Sequence, residues 1–106
     1  MPDIPEGATP FSDVVTTADA TSGVVLKAGE VGKQIFITDL VMEDSDKDGL
    51  VLRDDTGDIV YKMFFPATQT WQNTWEFPIT VAIDSGVRLF SDNVNNMSIT
   101  ISGYVI

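Results

Sequence analysis

The sequence predicts an all-β protein. It reads as an antiparallel, jelly-roll-like β-sandwich of about seven to eight strands, preceded by an extended N-terminal arm. Three observations carry this. Segments from Lys33 onward alternate apolar and polar residues with the strand period of two. Turn-forming residues separate them at intervals of roughly 8–12 residues, the spacing of a sandwich or small barrel. No long segment keeps a helical period.

The first nine residues after Met1, "PDIPEGATP", carry three prolines and a glycine and no period. They read as an arm covering residues 1–12, ahead of one sandwich domain at 13–106. Termini of this composition gain order from a surface that holds them down, so Ile4, Pro5 and Phe11 are candidate contact residues. "KQIFITDLVM" (33–42) and "DIVYKMFF" (58–65) are apolar on both parities. They fit interior strands, or strands whose outer face is covered by something else. "LVLRDD" (50–55) is a strand ending in the turn "DDTGD".

"TWQNTWEFPITV" (70–81) puts Trp71, Asn73, Trp75, Phe77, Ile79 and Val81 on one parity. Alternation makes that the buried face and Trp75 core, while Trp71, nearer the turn, is a candidate interface residue. Pro78 inside the run signals an edge strand or a bulge. Phe64 lies opposite Met63 and Phe65 and is a candidate subunit contact. A glycine-led strand follows Ser85-Gly86. The last strand, "NMSITISGYVI", sets Met97, Ile99, Ile101 and Val105 against Ser98, Thr100 and Ser102.

The most suggestive stretch is "MEDSDKDGL" (42–50). Asp44, Asp46 and Asp48 alternate ahead of Gly49, as in the opening of a calcium loop. An EF-type loop needs a flanking helix on each side, and both flanks here read as strands. The expectation is therefore a hairpin loop whose acids stay solvated, with no ion held by Asp44, Asp46 and Asp48. No cofactor is expected.

Composition removes several functions. The chain has 106 residues, room for one domain. Net charge is −10, which disfavours nucleic acid and anionic membrane surfaces. No apolar run approaches a membrane span, and no signal peptide is expected from the acidic, proline-rich start. Cysteine and histidine are absent, so thiolate zinc sites, disulfides and the commonest general base are excluded. Asp54 and Asp55 are adjacent, so their side chains point to opposite faces. "GEVGK" (29–33) lacks the phosphate-loop spacing. An enzyme is not expected.

The order of motifs resembles small β-sandwich proteins of tailed bacteriophages. The residues that carry the likeness are Leu52-Arg53-Asp54 with Thr56-Gly57, Pro66-Ala67, Phe77-Pro78, Gly86 and Ser102-Gly103-Tyr104. It covers roughly residues 33–106. It implies a virion protein at the capsid surface: a decoration (cement) protein, a homotrimer bound to the major capsid protein. Two alternatives remain open at this point. One is a receptor- or carbohydrate-binding module of a phage fibre or spike. The other is a free-standing carbohydrate-binding domain with calcium. Exposure of Trp71 and Trp75 discriminates them, because a sugar platform needs solvent-facing rings.

Overall fold

A computed structural model describes residues 4–106. The strands are β1 (Thr9–Thr17), β2 (Val24–Lys27), β3 (Ile35–Asp44), β4 (Asp48–Asp54), β5 (Ile59–Phe65), β6 (Gln69–Thr80), β7 (Val87–Ser91) and β8 (Met97–Val105). Sheet one has the order β1-β8-β3-β6 and sheet two the order β2-β7-β4-β5, with every pair antiparallel. This interleaving is the jelly-roll order. Every connection crosses between the sheets except the β4–β5 hairpin.

The core lies between the sheets and follows the alternation. Ile37, Leu40 and Met42 of β3, Leu50 and Leu52 of β4, Leu89 of β7, and Ile99 and Ile101 of β8 are all essentially inaccessible. Each such side chain contributes about 1.5–3 kcal/mol relative to exposure. β1 begins at Thr9, so the last residues of the segment read as an arm are strand, paired with β8 from Thr9↔Val105 to Thr17↔Met97. Phe11 packs against the core there, with Lys27 Nζ 5.0 Å over its ring. Residues 1–3 of the arm lie outside the described residues.

Two expectations are corrected by the topology. β5 is an edge strand, although both of its faces are apolar. Its outward residues Phe64 and Ile59 are 62% and 55% exposed. Phe77 does not join the buried parity; it is 83% exposed. Between Ile37↔Ile79 and Asp39↔Thr74 the four residues Trp75–Pro78 oppose Thr38 alone. That bulge breaks the alternation and turns Phe77 outward. Pro78, which cannot donate to a ladder, sits in it, on an edge strand, as its position in the sequence suggested.

The β4–β5 hairpin is closed by Asp54. Its Oδ1 accepts the Thr56 N–H at 2.9 Å, the Thr56 hydroxyl at 2.6 Å and the Asp58 N–H at 3.1 Å. These bonds, the Thr56 hydroxyl foremost, hold the carboxyl below its usual value. Asp54→Ala is expected to cost about 2 kcal/mol, the range for bonds to a charged acceptor. The sign follows from the depressed value: the stabilisation is present above the ordinary 3.8 and is lost as pH falls through the folded value. Equilibrium unfolding of the variant across acid pH should show a smaller acid loss than the parent chain.

Candidate functional site

Three surfaces hold the residues singled out by the sequence. The first is the end of the sandwich formed by the β3–β4, β5–β6 and β7–β8 connections. Asp44 closes β3 in sheet one and Asp48 opens β4 in sheet two. The stretch between them is a corner from one sheet to the other, not a hairpin. Alternation in each strand aims both side chains between the sheets. Asp44 is 3% exposed and Asp48 is fully buried, which corrects the expectation of solvated acids. Only Asp46 stays exposed, its carboxylate accepting the Lys47 N–H at 2.8 Å.

Asp48 organises this end. Its Oδ1 accepts the N–H groups of Asp92 and Asn93, each at 3.1 Å, and its Oδ2 accepts from Asn95 Nδ2 at 3.3 Å. Asn93 and Asn95 also donate to the Lys47 carbonyl. The β7–β8 loop is thereby tied to the β3–β4 corner. Burial, then the Asp44 carboxyl beside it, push the Asp48 carboxyl above its usual value. Asp44 Oδ2 is buried with no hydrogen-bond partner.

The donor set does not suit calcium. That ion takes about 6–8 oxygens, whereas the groups aimed at Asp48 are N–H donors. Among the described residues no three acidic side chains are grouped to hold a metal.

The second surface is aromatic. Trp71 and Trp75 are half-buried and pack with Tyr61 against the core at the open edge between β5 and β6. Ring centroids are 5.9 Å for Tyr61–Trp71, 5.4 Å for Tyr61–Trp75 and 6.2 Å for Trp71–Trp75, with interplanar angles of 30°, 77° and 55°. The rings plug the edge by packing on one another at steep angles and offer no shared flat platform.

The third surface is the end that carries the start of β1 and the chain terminus, where Gln34 and Ile106 exchange backbone hydrogen bonds. Two loop tips meet there: the Asp84 carboxylate accepts the Gly32 N–H, and the Asp84 N–H donates to the Lys33 carbonyl. Val31 and Ile83 project from these tips, 94% and 62% exposed. Ile4, 42% exposed, lies beside Pro10, Phe11, Thr38 and Gly103 in a shallow cavity of about 370 Å³. Pro5 is exposed, and its carbonyl accepts the Ala8 N–H in a turn that leads into β1.

Sequence reasoning placed Phe64 outward; Trp71, its candidate interface residue, is half-buried at the β5–β6 edge. The same reasoning missed Val31 and Ile83, whose only signal is an apolar residue inside each of two turn-rich segments.

No family model and no curated protein matches the sequence. Among solved structures, the chain is similar to one described as the cryo-EM structure of a giant freshwater prawn Macrobrachium rosenbergii extra small virus VLP. The identity is 10% and the TM-score 0.42, with 99% of this chain and 83% of that chain covered.

Proposed function

We propose that the chain is a structural virion protein, a decoration protein that binds the major capsid protein on the outer surface of a phage capsid as a homotrimer, without enzymatic activity. The carrying observation is a pair of exposed apolar loop tips at one end of the sandwich. One end presents the exposed apolar residues Val31 and Ile83, and the arm residue Ile4 lines a cavity with Pro10 and Gly103. The opposite end exposes Glu43, Asp46 and Asp92. Exposed apolar tips suit burial against a shell, and the net charge of −10 suits a soluble particle. The resemblance to tailed-phage sandwich proteins supports the same reading.

The test is occupancy on capsids of the phage that encodes the chain. Deleting residues 1–7 spares β1 and should leave the unfolding midpoint within about 2 °C, since no core side chain is removed. Val31→Asp with Ile83→Asp should also leave the sandwich folded. Both variants are expected to lose most of their binding in a co-sedimentation assay with purified capsids. Wild-type chain that fails to sediment with those capsids, or full occupancy by both variants, sinks the reading.

A further inference from the structure

Charge is divided between the two sheets. The strands of sheet one contain no lysine or arginine and carry Asp39, Glu43 and Glu76 outside the core, with Asp13 and Asp44 turned between the sheets. The strands of sheet two carry Lys27, Arg53, Lys62 and Arg88, four of the six cations of the chain. Lys27 is engaged at the β1–β2 edge over Phe11. The other three stand on the outer face of sheet two. The register lays them out in rows: Val25, Arg88, Arg53 and Ile59 in one, Phe90, Val51 and Lys62 in the next, Gly49 and Phe64 in the last.

Val25, Ile59 and Phe64 on this face are 45%, 55% and 62% exposed. A cavity of about 310 Å³ opens between Val51, Arg53, Ile59, Lys62 and Phe64. Two acids border the face. Asp55 is 3.7 Å from Arg88, and the Asp92 carboxylate lies over Gly49. Arg53 donates to the Gly57 carbonyl. Among the described residues Lys62 has no ion-pair partner within the chain.

The outer face of sheet one is the electrostatic opposite. It is rich in hydroxyls, Ser12, Thr16, Ser98, Thr100, Ser102 and Thr74, and bears the cavity beside Ile4. Asp39 stands among them, its carboxylate accepting from the Thr38 and Thr74 hydroxyls. Glu43 is exposed at one end of β3, and Val14 on β1 is 68% exposed.

We infer that the occupant of the basic, apolar outer face of sheet two is the acidic outer face of sheet one on a second copy of this chain. A contact between two different faces is heterologous, and it closes into a ring when the rotation per subunit allows, three-fold included. Opposed charges set the register and orientation of such a contact, and the exposed apolar side chains around Phe64 supply its desolvated centre. A two-fold contact of sheet two on itself is disfavoured, because it brings Arg53, Lys62 and Arg88 against their own copies. The inference deepens the homo-oligomeric part of the proposed function and does not depend on the capsid.

The test is the mass of the purified full chain by sedimentation velocity at about 0.1 M salt, where close pairs are only partly screened. The wild type is expected to form an oligomer. Lys62→Glu and Glu43→Lys should each weaken assembly by about tenfold or more, since each sets like charges against one another. Combining the two in one chain should restore it, because the two charges are then exchanged across the contact. Phe64→Asp should give a folded monomer that neither charge change rescues.

A monomeric wild type overturns the inference. So does an assembly broken by Lys62→Glu and indifferent to Glu43→Lys, which is the signature of a self-facing contact. Circular dichroism of each variant separates lost assembly from lost fold. Retained assembly with no capsid binding would remove the virion reading and leave this one standing.

Discussion

Gly103→Ala is expected to be the most damaging single methyl in the chain, lowering stability by about 3 kcal/mol or more. Gly103 lies on the interior strand β8, paired with Phe11 on one side and Ile37 on the other. A Cβ at this position would lie 1.9 Å from the Phe36 carbonyl oxygen and 3.0 Å from its carbon. Those are backbone atoms of the neighbouring strand, beside the register shift between Ile37 and Asp39, and they cannot swing aside. Relief requires separating β8 from β3, the pair at the centre of sheet one. The unfolding midpoint should fall by roughly 15 °C, given the usual 4–8 °C per kcal/mol for a domain of this size. Gly49→Ala is the control. Its Cβ would meet only the Asp92 carboxylate, the far end of a side chain free to rotate, so its effect should be several-fold smaller. Equal midpoints for the two variants would refute the account of Gly103.

The second large effect belongs to Asp48. Asp48→Ala strips the acceptor from the Asp92 and Asn93 N–H groups and from Asn95, and should cost about 3 kcal/mol. The pH dependence has the opposite sign to that of Asp54. The folded state holds the Asp48 proton more tightly than the unfolded chain does, because burial and the Asp44 carboxyl oppose ionisation. Its contribution is therefore complete below the ordinary 3.8 and is lost as pH rises through the raised folded value.

Asp44→Asn places a permanent N–H donor beside Asp48. It should raise the midpoint by about 5 °C near neutral pH and leave it unchanged near pH 3, where Asp48 already holds its proton. Unfolding followed across that range, with millimolar calcium or sodium of equal ionic strength, decides the matter. A calcium-specific rise in the parent chain that vanishes in Asp44→Asn would place a bound cation at this pair instead.

The sequence by itself determined the class of fold. Strict alternation in "NMSITISGYVI" fixed which side chains of β8 enter the core, because a strand with one buried face has no other solution. Pro78 marked the irregular edge strand, since proline cannot donate to a ladder. Phe64 was legible as outward-facing from parity alone. β1 and β2 were less legible. β1 sets Asp13 and Thr17 among its core-facing positions, and β2 is four residues long with a register shift.

Tertiary structure decided the rest. Apolar residues on both faces of 58–65 are compatible with an interior strand. Only the sheet order shows β5 at an edge with one face uncovered. "MEDSDKDGL" gives the spacing of three aspartates but not the sheets they join. A hairpin would have left all three in water. The chain instead turns from sheet one into sheet two between Asp44 and Asp48. Alternation then carries both carboxyls inward to the same end of the core, while Asp46, in the bend between the strands and outside either alternation, stays at the surface. Side-chain period is a local property of each strand; which two strands face one another across a core is set by the packing of the whole chain.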